Sequence, residues 1–553
     1  MTAIRIFLSA LLVLSISTAA LAQQKNYALS EPVDIRETGL NKVLCLRNGN
    51  TMLLHFEPTK AVTVKIFDST HREIASQKHI CRYLDINLLY NAVFKGLYDI
   101  SGEGVLFVEQ QHLSRKQLVR VRFNAVNGNI IEEKIMGEAP NISTEISFSV
   151  MKNKGSDDYH ILFASDVLQF KQCDIYIACY NGKHEEIRKV PITIDRKNYD
   201  YVQVVGAESQ PAGNCITLDL IKMVTNRTIH SGEVSDNVAT YDHTLFIAYN
   251  PANTTTVLTK EADMSTTSFP CYTQFNYNPF AQSLNVLLFN NKEFLKKNGL
   301  DAQPMALQSS LLFTLDETNM AFKYNWIKNN MANVYYQRQT DTTRLFSGIP
   351  VQMFTNNNGL CTIISQQRDI YDMEETRAKP LVRESYFEKV GITQCDDEGK
   401  ELWGVVLPFA QYYKSYDRHY SAYEMAKRWQ NQQMFGDMPP QVYNRQFVSL
   451  NAYNYKDNFF LIYNDNDGNF NNSVTHPGDT VYNFERTNAC YYKLNRKKEV
   501  TKHYLFDTPA ENEYKTSFIE GAYFDDRTGV YASLVQCNKD DKITLCMAWC
   551  RLD

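Results

Sequence analysis

Apolar and polar residues alternate with a period of two along most of the chain, and the alternating stretches recur in a fixed order. An apolar strand is followed by a polar stretch. A second strand then ends on a large or apolar residue followed by Asp or Asn, a polar turn, and a further strand. The landmark pairs are Phe67-Asp68, Phe123-Asn124, Tyr180-Asn181, Tyr249-Asn250, Leu315-Asp316, Cys395-Asp396, Leu494-Asn495 and Leu552-Asp553. Further turn-bounded strands, such as Phe447 to Tyr455 and Ser517 to Phe524, precede several of these units. The unit is therefore about four antiparallel strands. Its shortest spacing, 56 to 58 residues, exceeds that of solenoid repeats.

Such units bury a core only against their neighbours, so they predict an all-β fold: a β-propeller of seven or eight four-stranded blades. The eight landmarks favour eight blades. The last unit stops after its third strand, which leaves an apolar edge at Ile543 to Arg551. Asn26 to Glu37 carries Tyr27, Leu29, Val33 and Ile35 between polar residues, and is expected to pair with that edge and close the ring. One helical insertion is expected at 421–435, where Ser421 to Glu424 forms a capping box before Met425, Ala426 and Trp429.

The hairpin turn Cys395-Asp-Asp-Glu-Gly-Lys-Glu-Leu-Trp403 resembles the turn of quinoprotein-type propeller repeats, and Asn124 to Ile130 is a fainter likeness. The adjacent Cys-Cys pair of quinoprotein dehydrogenases is absent, so pyrroloquinoline quinone is not expected. As a whole the chain resembles exported bacterial β-propeller proteins.

Residues 1–22 read as a secretory signal: Arg5, an apolar run from Ile6 to Leu14, and Ala20-Leu21-Ala22 before Gln23. A single propeller domain is expected over 23–553, exported to the periplasm or beyond. No segment approaches the ~18 apolar residues of a spanning helix. A net charge of −5 with interspersed signs argues against nucleic acid as a partner. The twelve cysteines are mostly set in apolar strand patterns, which excludes a disulfide framework but leaves room for one or two bridges.

Extra residues accumulate in the second-to-third-strand connections of units four to seven, at 222–242, 290–308, 365–384 and 464–488. These connections open on one face of a propeller, so that face is the expected ligand face. Candidate ligand-binding residues there are Tyr371, Arg418, His419, Trp429, Asp465 and His476. Asp465, Asp467 and Asn469 alternate oxygens around Gly468 as a hard-cation loop does, making Ca²⁺ the one metal to consider; Tyr463 and the lack of a closing Glu break the full pattern. The polar sequence is equally that of a plain turn. No other cofactor is implied.

Two functions follow. The first is a non-enzymatic binding or scaffold propeller that recognises a glycan, peptide or envelope protein. The second is a carbohydrate-active hydrolase or lyase using Asp369, Asp372 and Glu374, although Arg377 and Lys379 beside them also suit a solvated mixed-charge loop.

Overall fold

A computed structural model describes residues 26–35, 39–57, 61–84, 92–113, 115–139, 146–153, 155–165, 174–195, 197–210, 213–225, 239–263, 272–278, 283–289, 310–316, 322–327, 330–340, 343, 345–346, 348–355, 358–373, 381–417, 447–448, 450–473, 475–476 and 478–552. Among them, seven blades are each built from four consecutive strands paired antiparallel in chain order, over 40–79, 93–138, 146–191, 201–263, 272–327, 348–407 and 450–504.

The remaining sheet is composite. Its strands Glu513–Ser517, Val530–Lys539 and Lys542–Arg551 receive an outer strand, Tyr27–Pro32, from the other end of the chain. The expectation of eight blades is corrected: the described residues form seven self-contained blades, and the last sheet is a closure of different construction. Its inner edge is also split, because both Glu513–Ser517 and Tyr523–Asp525 pair with Val530–Lys539. The residues between them leave the sheet to dock on the first blade. There the Val43 amide donates to the Gly521 carbonyl at 2.9 Å and Lys42 Nζ to the Glu520 carbonyl at 3.1 Å. A Cβ on Gly521 would lie 2.5 Å from the Asn41 carbonyl oxygen, so the approach needs glycine.

The closing strand pairs as its apolar alternation predicts, with Tyr27 opposite Cys550, Ala28 opposite Trp549 and Leu29 opposite Ala548. A bulge follows before Pro32 meets Cys546, and there Ser30 Oγ accepts from the Met547 amide at 3.0 Å. The ladder resumes when the Val33 amide donates to the Leu545 carbonyl at 2.7 Å. Trp549 Nε1 donates to Thr51 Oγ1 at 2.8 Å, which ties the closure to the first blade.

The core is a series of layers between blades. In the strand Glu103–His112, Leu106 and Val108 pack with the first blade, while Val105 and Phe107 pack with the third. Middle strands are therefore apolar on both faces, and fourth strands such as Glu73–His79 are largely exposed.

The recurrent Asp or Asn has a local cause. The carboxylate of Asp68 accepts from the amides of Thr70 and Arg72 at 2.8 and 3.0 Å. Asn181 does the same for Lys183 and Glu185, Asp396 for Glu398 and Lys400, and Asn495 for Lys497 and Glu499, all within 3.1 Å. The residue three positions on is left-handed each time: His71, His184, Gly399 and Lys498. This is a turn capped by an Asx side chain and closed by a bulge. The likeness of 395–403 to a quinoprotein-type turn reduces to this same device, with Gly399 at the left-handed position.

The α-helix among the described residues is Asn330–Thr340, which the sequence reading did not anticipate; the insertion at 421–435 lies outside the described residues. The helix covers the outer strand of the sixth blade, Glu401–Leu407. Ala332 and Tyr336, one turn apart, pack with Phe346 and Val406. Gly404 lies beneath, and a Cβ there would fall 2.4 Å from the Ala332 nitrogen.

Removing residues 26–32 would expose the apolar edge at 542–551 as a template for association. The variant is expected to lose at least about 10 °C of unfolding midpoint and to sediment as aggregates; an unchanged midpoint with a monodisperse boundary would contradict the closure.

Candidate functional site

The long connections of the fourth and sixth blades are partly strand. The hairpin of Gly213–Thr225 with Ala239–Pro251 and that of Cys361–Met373 with Leu381–Cys395 both run past their blades as two-stranded arms. The sixth-blade arm gains a further strand, Gln411–Asp417, along residues 381–387. That strand in turn meets the long seventh-blade loop, where Tyr412 donates its amide to the Val481 carbonyl at 3.0 Å and Val481 donates to the Ala410 carbonyl at 3.0 Å. Gln411 Nε2 reaches the Asn464 carbonyl at 2.8 Å.

This construction brings three tyrosines side by side. Tyr386 lies directly opposite Tyr412 in the ladder, with ring centroids 5.0 Å apart. Tyr482, from the loop, stands 5.0 Å beyond Tyr412 at 45°. Tyr482 is 62 % exposed, while the two rings behind it are half-buried. The result is a row of rings whose outer member faces solvent.

The seventh-blade loop is braced by a polar hub. Asn469 Nδ2 donates to Asp465 Oδ1 at 2.8 Å and to the Asp479 carbonyl at 2.7 Å, while its Oδ1 accepts from the Asp479 amide at 2.9 Å and from Asn472 Nδ2 at 3.0 Å. Asn488 Nδ2 holds Asp467 Oδ1 at 2.8 Å. Lys502 Nζ bridges Asp465 Oδ2 and the Asn469 carbonyl, both at 2.8 Å. Its ammonium lies 5.5–5.7 Å from the ring centroids of Tyr463, Phe470 and Tyr492, a cation–π surround. Burial first, then the neighbouring Tyr492 and the charge of Asp465, push the Tyr463 hydroxyl well above the ordinary tyrosine range. Of the residues read from sequence as a cation loop, Asp465 and the Asn469 carbonyl thus face a lysine ammonium supplied by a later strand of the same blade, Val500–Tyr504, while Asp467 is held by Asn488. Among the described residues, no three His, Cys, Asp or Glu side chains converge as a metal site.

The other sequence candidates are distributed as follows. His476 is exposed and its Nδ1 lies 2.9 Å from Thr475 Oγ1. Asp369, Tyr371 and Asp372 sit in the sixth-blade arm, their backbones opposite Tyr386, Glu384 and Arg383. Glu374, Arg418, His419 and Trp429 lie outside the described residues. Tyr386, Tyr412 and Tyr482 were missed. The signal available was the Tyr412-Tyr413 pair on a short alternating strand, but nothing local shows that Val481 docks beside it.

No family model matches the chain, and no curated protein matches it. Solved structures similar to it include the WD40 domain of SCAP from fission yeast, at 7 % identity and a TM-score of 0.33 over 95 % of this chain and 98 % of that one. A protein of unknown function from Bacteroides caccae is similar at 11 % identity and a TM-score of 0.25, over 62 % and 89 %. The endo-arabinase from Bacteroides thetaiotaomicron VPI-5482 is similar at 10 % identity and a TM-score of 0.24, over 62 % and 93 %. No helix among the described residues is long and apolar enough to cross a membrane.

A second polar cluster, between the second and third blades, is closed by its own members. Arg120 pairs with Glu132 and Tyr159, Arg122 with Glu103, and burial next to both arginines pushes His184 below the ordinary histidine range.

Lys502→Met would leave the Asp465 carboxylate buried against aromatic rings without its counter-charge. The expected loss is about 3–5 kcal/mol in denaturant unfolding, with most of it restored in the Asp465→Asn/Lys502→Met double variant. A double-variant loss equal to the sum of the Asp465→Asn and Lys502→Met losses would show that the pair is not coupled.

Proposed function

We propose that this protein is an exported, non-enzymatic binding propeller that captures a glycan, peptide or envelope protein on the face of its long connections. The observation that carries the reading is the row of Tyr386, Tyr412 and Tyr482, with its outer ring 62 % exposed. Tyrosine presents a flat apolar face and a hydroxyl, and it loses little conformational freedom on contact, which suits it to sugars and peptide backbones alike. Further support comes from the strand Gln411–Asp417 and the braced loop, which hold the rings before any ligand arrives. The carboxylate of Asp465, engaged by Lys502, Asn469 and the Asn466 amide, is arranged for bracing rather than for proton transfer.

The test is a glycan and peptide array screened with the whole protein, followed by titration calorimetry on any hit. Tyr482→Ala should weaken such a hit about tenfold, corresponding to ~1.4 kcal/mol, without moving the unfolding midpoint. Unchanged affinity would remove the tyrosine row from the site. Turnover of a polysaccharide, abolished by Asp369→Asn, would replace the binding reading with the hydrolytic one.

A further inference from the structure

We infer that Cys361 and Cys395 become joined by a disulfide when the chain folds under oxidising conditions. Cys361 opens the strand Cys361–Met373 and Cys395 ends the strand Leu381–Cys395, and the two are directly opposite in the ladder. No other two cysteines of the described strands are opposed in this way. Cys546 faces Val535 and Pro32, Cys550 faces Tyr531 and Tyr27, and Cys490 faces Tyr463. Opposed residues of an antiparallel pair have Cα atoms about 4.5 or 5.5 Å apart, according to whether they share hydrogen bonds. Both values lie inside the range of roughly 4.4–6.8 Å that disulfides span, and the Cβ atoms need to approach by at most about 1 Å.

Both side chains are buried, at 1 % and 0 % exposure, in a small apolar cluster with Leu287, Met353 and Ile363. Burial pushes the Cys361 thiol up to about 12 and raises that of Cys395 as well. In the finished fold neither thiol forms a nucleophilic thiolate or meets an oxidant. The bond must therefore form as the hairpin assembles. One thiolate attacks a disulfide donor, oxidised glutathione or an exchange catalyst, to give a mixed disulfide. The second thiolate displaces the donor's remaining thiol; the two cysteines lose two protons and two electrons, and the donor is reduced to two thiols. Once closed, the bond is shielded from reductants by the same packing.

The bond would pin the blade end of the hairpin whose arm begins beside Tyr386, closing a loop of about 35 residues. Cys537 and Cys546 form the nearest competitor, because their thiols hydrogen-bond to each other across adjacent strands. They are diagonal neighbours, at ~7–8 Å between Cα atoms, beyond normal disulfide reach.

The test is to refold the full chain with oxidised and reduced glutathione, block remaining thiols with an alkylating agent under denaturing conditions, and map the peptides without reduction. A Cys361–Cys395 cross-link is expected, with an unfolding midpoint several degrees above that of the reduced protein. The Cys361→Ala/Cys395→Ala variant should lose that redox-dependent difference. If the variant does not fold, the wild-type peptide map decides alone. Quantitative alkylation of both cysteines, or a cross-link joining Cys537 to Cys546 in their place, would overturn the inference.

Discussion

Each blade of this protein buries its two middle strands only if a neighbour stands on either side, so the whole ring depends on how its last sheet is closed. Val105 and Phe107 need the third blade as much as Leu106 and Val108 need the first. A chain with free ends would leave two apolar sheet faces and one apolar edge in water. The strand Tyr27–Pro32 removes the edge by pairing with Lys542–Arg551, and Trp549 and the 518–522 segment dock the sheet on the first blade. The closing sheet thus joins the two ends of the chain by main-chain hydrogen bonds, which are less sensitive to side-chain identity than a packed interface.

Much of this was legible because its causes are local. At Asp68, Asn181, Asp396 and Asn495 the side chain after the third strand caps two amides of the following turn in the same geometry, whereas Asn124 caps a longer turn and Asn250 Nδ2 donates to the Thr254 and Thr256 carbonyls. The closing strand was legible because an alternating segment and an unpaired apolar strand stand at opposite ends of one chain. What was not legible rests on distant partners. The split of the inner edge of the last sheet is set by Asn41 and Val43, far away in sequence. The helix Asn330–Thr340 has a weak apolar face and exists by packing on Val406 and above Gly404. The order of strands within a blade follows from pattern; the number of self-contained blades, and the exceptions to the repeat, follow from tertiary contact.

The candidate site divides in the same way. Asp465, Asp467 and Asn469 stood out in the sequence as an oxygen-rich loop, but Lys502, which engages Asp465 and the Asn469 carbonyl, lies a strand and a turn further along. A lysine held by a carboxylate, a carbonyl and three aromatic rings is a rigid brace, and the loop it fixes supplies Val481 to the strand bearing Tyr412 and places Tyr482 beside it. The long connections therefore act together: the sixth-blade arm contributes Tyr386, the added strand Tyr412, and the braced loop Tyr482.

The closed ring is tested most directly by hydrogen exchange of the main-chain amides at the closure, followed residue by residue under native conditions. If Tyr27–Pro32 completes the last sheet, the amides of Val33, Met547 and Arg551 should exchange as slowly as those of the blade interiors and only through global unfolding. Exchange at these positions that is orders of magnitude faster than in the neighbouring strand Val530–Lys539 would mean that the terminal strand frays independently, and would contradict the account.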